Sequence, residues 1–228
     1  MAEPVYRNII MMGPPGGGKG TQSAILAEKL KVRAISTGDL LREAAEAGTK
    51  IGLKAKKLID NGKFVPDSVI IKIVREELKK AEYANGYVLD GFPRTLAQAK
   101  SLDRMLEGRL FSRKTKHLKI DLVLLLQVPD DYVIERIIGR SKCAKCGALY
   151  HERFKQPQVF GVCDICGGKE FTRRADDTYE TVIQRLKTYR RVTAPVIPYY
   201  EKKGLLECVD GTGPIDVVSE KIRKIVGY

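Results

Sequence analysis

The glycine-dense run from Gly13 to Thr21, GPPGGGKGT, has the make-up of a phosphate holder. Glycines let successive backbone N–H groups curl around an anion, which suits Gly16, Gly17, Gly18 and Gly20, while Lys19 supplies a point charge for β and γ phosphates. Thr21 closes the run one residue later than in the generic loop, because Gly20 separates it from Lys19. A helix starting near Gly20 would add its positive end to the same ligand. Farther along, Asp90-Gly-Phe-Pro-Arg94 ends a short apolar run. Asp90 sits where a hard oxygen ligand can hold Mg²⁺ directly or through water, and Arg94 offers a planar fork suited to phosphate. A third group has different chemistry: Cys143-x-x-Cys146, sixteen residues, then Cys163-x-x-Cys166. That is ribbon spacing for tetrahedral thiolate binding of Zn²⁺, with no coordination position left open, so the metal holds structure and does no chemistry.

These groups need a scaffold. Val5 to Met12, Tyr87 to Leu89, Leu122 to Val128 and Leu205 to Val209 are strand candidates, separated by stretches with helical spacing long enough for crossovers. Alternation of that kind predicts an α/β fold with a mostly parallel sheet and helices on both faces. Asp67 reads as the N-cap of a helix carrying Val69, Ile70, Ile73, Val74 and Leu78, and Ile215, Val218, Ile222 and Ile225 mark a last helix. Two polar, glycine-bearing segments interrupt the alternation. Residues 36–65 read as two short helices around Gly48, closed by Asn61-Gly62, and residues 139–177 contain the four paired cysteines. The core would then comprise 1–35, 66–138 and 178–228. No internal repeat or low-complexity tract is present.

Composition narrows the partners. In 228 residues, 41 Lys plus Arg against 28 Asp plus Glu leave a charge of +13, which favours anionic ligands. Apolar runs such as Leu122 to Leu126 are too short to cross a bilayer, and Arg7 breaks the pattern of a secretion signal. Two Cys-x-x-Cys pairs plus Cys208 suit a metal better than a disulfide framework, so the expected setting is cytoplasmic, with Cys208 an inert core thiol.

GPPGGGKGT, Ser36 to Arg42 (STGDLLR), Asp90 to Ala99 (DGFPRTLAQA) and Arg174 to Asp177 (RADD) together resemble the adenylate kinase family along nearly the whole chain. In that family the glycine after the loop lysine is usual. The resemblance implies a P-loop nucleoside monophosphate kinase fold, with residues 36–65 as an AMP-binding subdomain and 139–177 as a zinc-binding lid of the long bacterial form. It implies transfer between Mg·ATP and AMP to give two ADP. Lys19, Arg94, Arg136, Arg140, Arg174 and Arg185 become the expected catalytic cations. Thr37, Arg42, Lys63, Phe64, Val65, Gly91, Arg94, Gln98, Arg174 and Arg185 are expected around AMP, with the Gln98 amide against the adenine edge. Gly16 to Thr21, Arg136, Arg140, Leu149, Tyr150 and Gly213 are expected around ATP, an aromatic ring lying over the base. Asp176 and Asp177 are expected to help close the lid; Asp177 also has the spacing of a helix N-cap. This sequence departs from the family at Ala175 and Gly213, where a lysine is common.

Transfer onto an already ionised monophosphate requires no general base, so His117 and His151 are read as surface or local hydrogen-bonding residues. The basic stretch Arg109 to Lys119 admits a rival, a nucleotide-switched module in which a zinc ribbon binds nucleic acid. A second nucleotide pocket has no use in such a switch, which argues against it. A nearer alternative is a kinase of the same fold using another monophosphate or a GTP donor. A monomer is expected.

Overall fold

A computed structural model of the chain describes residues 6–60, 65–109 and 119–228. Asn61-Gly62, Lys63, Phe64, His117 and most of the basic stretch Arg109 to Lys119 lie outside the described residues. The central sheet is formed by β1 (Asn8–Met12), β2 (Arg33–Ser36), β3 (Tyr87–Asp90), β4 (Leu122–Gln127) and β8 (Leu206–Asp210), in the order β2-β3-β1-β4-β8. All four pairings are parallel, with Ile9 opposite Val88 and Leu122, and Leu125 opposite Cys208.

Residues alternate between two cores. Ile10, Met12, Tyr87, Leu89, Val123 and Leu125 face one side, against Val74, Leu102, Met105 and Tyr200. Ile9, Met11, Val88, Leu122, Leu124 and Leu126 face the other, against Leu26, Leu30, Val218 and Ile222. Burial on both faces explains why these strands are continuous apolar runs. The helices supplying those partners are α1 (Lys19–Leu30), α4 (Asp67–Leu78), α5 (Leu96–Arg104) with the π-helical turn Met105–Arg109 that follows it, α8 (Ile197–Glu201) and α9 (Ile215–Val226). The expected parallel-sheet α/β fold is therefore present.

Sequence reading overlooked β2, which lies at the sheet edge and whose Arg33 and Ala34 are exposed. Cys208 is the opposite case. It sits exposed on the edge strand β8 and is not a core thiol. Asp67 is the first residue of α4 and Pro66 occupies the cap position, so Asp67 is no N-cap. Nor is Asp177: the cap of α7 (Tyr179–Thr188) is Thr178, whose side chain accepts from the Thr181 N–H.

Between β2 and α4 stand α2 (Thr37–Glu46) and α3 (Lys50–Asp60), turning at Gly48 with φ 69°. Gly52 lets them approach; a Cβ there would come within 2.2 Å of the Ala44 backbone. After α6 (Asp130–Ile138), a small antiparallel sheet is built from β5 (Arg140–Cys143), β6 (Leu149–His151) and β7 (Phe171–Thr172), ordered β6-β5-β7.

Candidate functional site

The carboxyl ends of the parallel strands open into a cavity of about 780 Å³. β1 delivers the glycine loop there. Gly16 adopts φ 72° and Gly18 φ 91°, and a Cβ on Gly16 would fall 2.5 Å from the Ile137 side chain, so larger residues are excluded. Gly18 occupies the cap position of α1, which points its free N–H groups at the loop. Lys19 Nζ donates to the carbonyls of Gly13 (2.9 Å) and Pro14 (2.7 Å). Burial pulls the Lys19 ammonium down to about 8, with Arg94, Arg185 and Arg140 adding repulsion and Asp90 opposing it.

Asp90, at the end of β3, faces the loop; a Cβ on Gly20 would lie 3.3 Å from its Oδ2. Burial raises its carboxyl, against the pull of Lys19 and Arg94. An oxygen donor beside the phosphate loop fits Mg²⁺. The next residue, Gly91, has φ 79°, and its carbonyl accepts from Thr37 Oγ1 (3.0 Å) and Arg94 Nε (2.8 Å). Thr37 starts α2 after Ser36, whose hydroxyl caps it through the Asp39 N–H.

The remaining cations converge from separate elements. Arg42 on α2 pairs with Asp39, and Arg174 approaches the same carboxylate at 3.9 Å. Burial pushes the Asp39 carboxyl up, but hydrogen bonds from Arg42 and Ser36 outweigh it and hold it low. Arg140 makes a two-pronged contact with Asp177 at 2.9 and 2.5 Å, and Arg185 donates to Asp176 at 2.9 Å. Arg136 binds the carbonyls of Gly211 (2.8 Å), Thr212 (3.2 Å) and Gly213 (3.4 Å). Burial depresses Arg94, Arg136 and Arg185, and takes Arg174 to about 10. Among the described residues, nine basic side chains and three carboxylates line the cavity, so its unmet demand is for anions.

Most of the expected site residues therefore meet in one place: Gly16 to Thr21, Thr37, Arg42, Val65, Asp90, Gly91, Arg94, Gln98, Arg136, Arg140, Leu149, Tyr150, Arg174, Asp176, Arg185 and Gly213 all border the cavity. Asp177 reaches it through Arg140 and, at 3.8 Å, through Arg185. Two expectations change in detail. The Tyr150 ring is no exposed platform: it is buried edge-on against Phe171, its hydroxyl donating to Cys163 Sγ at 3.3 Å. Gln98 is 2% exposed, and each end of its amide already has a protein partner. An aromatic that does stand open to the cavity is Phe154, with the Arg136 guanidinium 5.7 Å from its ring centre. Sequence reasoning missed Phe154 because it is one of four irregularly spaced aromatics in a polar insertion, with no periodic signal to single it out. It also missed Asp39 as the carboxylate between Arg42 and Arg174, although Asp39 stands inside the STGDLLR segment. His151 acts locally, as expected: Nδ1 accepts from the Arg153 and Phe154 N–H groups at 2.9 and 3.1 Å.

The four cysteines form a separate cluster with all sulfurs within 4.8 Å of one another. Cys143 and Cys166 sulfurs are 3.6 Å apart, Cys146 and Cys163 3.5 Å. A tetrahedral metal with bonds of about 2.3 Å requires sulfur–sulfur edges of about 3.8 Å, so the donor set fits. The Tyr150 hydroxyl draws the Cys163 thiol down to about 6, favouring the thiolate that binds metal. No described helix is long and apolar enough to cross a membrane.

Comparison with known proteins agrees with this geometry. Residues 11–205 match the family described as adenylate kinase. The chain is 49% identical over 219 residues to the adenylate kinase of Paramagnetospirillum magneticum, covering 96% of this chain and 98% of that one. It is 47% identical over 219 residues to that of Methanothrix thermoacetophila, with the same coverage. With the adenylate kinase of Erythrobacter litoralis it shares 48% over 220 residues, covering 96% of this chain and 99% of that one. By loop, fold and relatedness along nearly its whole length, the chain belongs to the adenylate kinase family.

Proposed function

We propose that the chain catalyses reversible transfer of the terminal phosphoryl group of Mg·ATP to AMP, giving two ADP. The observation that carries this reading is the shared cavity: the phosphate loop, a set of arginines and side chains from both insertions line one space of about 780 Å³. The part of the cavity lined by Thr37, Val65, Ile70 and Gln98 we assign to AMP, as the acceptor recess. Lys63 and Phe64, also expected around AMP, lie outside the described residues. The part lined by Arg136, Leu149, Phe154 and Gly213 we assign to ATP. Tyr150 then contributes through its backbone and through the lid core behind it.

An oxygen of the AMP phosphate attacks the γ-phosphorus, and the bond to the β-bridging oxygen breaks as ADP leaves. The nucleophile arrives ionised, so the chain moves no proton; it positions two polyanions that repel one another and spreads positive charge over the transferred oxygens. Lys19 exchanges two carbonyl partners for β and γ oxygens. Arg94 and Arg42 seat the acceptor phosphate, while Arg136, Arg140, Arg174 and Arg185 face the group in flight. Asp90 would hold Mg²⁺, which neutralises charge on the donor phosphates when bound. Residues 36–65 act as the acceptor subdomain and 139–177 as a lid whose base is fixed by the Asp176 and Asp177 pairs. Closure excludes water and so prevents hydrolysis.

Zn²⁺ is the metal that four thiolates at this spacing suit best, and its role is to staple an insertion whose own apolar core is Cys143, Tyr150 and Cys163 with few neighbours. Paired reduced cysteines fit a cytoplasmic protein, and one chain supplying every site residue fits a monomer. The test is ADP formation from Mg·ATP with AMP, GMP, UMP or CMP, in wild type and Gln98→Ala. AMP should be the preferred acceptor, with its advantage reduced in the variant. ADP formed equally fast from another monophosphate would refute the assignment.

A further inference from the structure

Gln98 offers one N–H donor and one oxygen acceptor to the acceptor recess, and a free amide can turn over to present them in either order. Here the order is fixed. Its Oε1 accepts from the Arg94 backbone N–H at 2.7 Å, and its Nε2 donates to Asp67 Oδ1 at 2.7 Å. Asp67 acts only as an acceptor in this ring of contacts. The Thr95 hydroxyl accepts from the Gln98 N–H (3.1 Å) as the cap of α5, so its own proton goes to Asp67 Oδ2 at 2.7 Å. Turning the amide over would set oxygen against the carboxylate and an NH₂ against an N–H, two repulsive contacts in a residue with almost no access to water.

From this ring we infer that Asp67 is a specificity-determining, positioning residue: by locking the Gln98 amide it makes the acceptor recess read a 6-aminopurine and reject a 6-oxopurine. The inference rests on the assignment of that recess to AMP. With one Nε2 hydrogen on Asp67 and one Oε1 lone pair on Arg94, the second hydrogen and second lone pair remain for the ligand. They match ring N1, an acceptor, and the exocyclic amino group, a donor. Hypoxanthine presents the reverse, an N1–H and an O6. A locked amide meets it with two mismatches, whereas a freed amide would turn and match it. Asp67 does not border the cavity and touches no ligand in this arrangement.

The test compares AMP with inosine monophosphate, which differs only in that edge, in wild type, Asp67→Asn and Asp67→Ala. The asparagine keeps shape yet can face either end of the amide. The alanine votes for neither. The ratio of kcat/KM for AMP to that for inosine monophosphate should fall about tenfold in both variants, the Arg94 N–H preserving the rest. KM for AMP should rise while KM for ATP stays within a factor of two. Because the ratio is taken on one preparation, a partly folded sample does not alter it. An unchanged ratio, or equal rises in both KM values without a change in ratio, would overturn the inference while leaving AMP as the acceptor. A wild type that phosphorylates no AMP would instead remove the assignment on which it rests.

Discussion

Lys19 should make ATP binding depend on pH in a way that can be measured without any mutation. Its ammonium is buried and pulled to about 8, whereas an unfolded chain would keep it near 10.5. Retaining that proton at pH 7 costs the ligand-free fold about 3 kcal/mol, at about 1.4 kcal/mol per tenfold change in proton affinity. The sign follows from proton counts. Between about 8 and 10.5 the unfolded chain binds more protons at this site than the folded one, so the Lys19 contribution to stability rises with pH across that window. Phosphate reverses the penalty, because an anion against Nζ replaces two neutral carbonyls. At pH 8.5 about three-quarters of free molecules would lack the proton, and nearly all would regain it on binding. Calorimetry of Mg·ATP binding at pH 8.5, in buffers of different ionisation enthalpy, should therefore show uptake of about 0.7 proton, falling to about 0.1 at pH 7. In steady state, kcat/KM for ATP should drop about tenfold per pH step above 8 while kcat stays level. Lys19→Met should abolish the linked uptake in whatever binding survives. Arg174, at about 10, titrates too high to imitate the effect. Wild-type binding at pH 8.5 with no proton taken up would refute the claim that burial, and not the resting carbonyl contacts, governs this lysine.

Two further outcomes concern the insertion. Purified protein should carry one tightly held metal per chain, and Cys146→Ser or a strong chelator should melt the small sheet at lower temperature than the parallel core, visible as a split calorimetric transition with raised KM for ATP. Asp177→Asn should destabilise the fold by about 3 kcal/mol in denaturant titration, since Asp177 is 1% and Arg140 18% exposed and the substitution leaves a buried guanidinium short of its counter-charge.

Sequence patterns recover what is set by close neighbours along the chain and miss what is set across it. β1 and β4 were readable because both faces are buried, leaving unbroken apolar runs. β2 was not, since an edge strand of four residues with Arg33 and Ala34 exposed has neither run nor alternation. The loop glycines and the cysteine pairs carry their geometry in their spacing. Asp67 shows the limit of that approach: before an apolar helix an aspartate reads as a cap, but residues 28 and 31 positions away claim both its oxygens. Tyr150 is a similar case, placed correctly beside the cavity yet turned inward by Phe171 and Cys163, which no local rule connects to it.

The resting partners of the cations divide them by task. Lys19 and Arg136 are held by backbone carbonyls: those of Gly13 and Pro14, and of Gly211 to Gly213. A neutral carbonyl positions a charge without cancelling it, and hydrogen bonds to an anion are about twice as strong, so these two can move onto phosphate at little cost. Arg140 and Arg185 are held by the carboxylates Asp177 and Asp176, which a phosphate must match before displacing. Those carboxylates stand where the insertion rejoins the core, just ahead of α7. The insertion is thus anchored by arginines that also line the cavity. In the proposed reading, a nucleotide that drew charge from Arg140 and Arg185 would also loosen the base of the insertion, so substrate binding and the position of residues 139–177 would draw on one set of ion pairs.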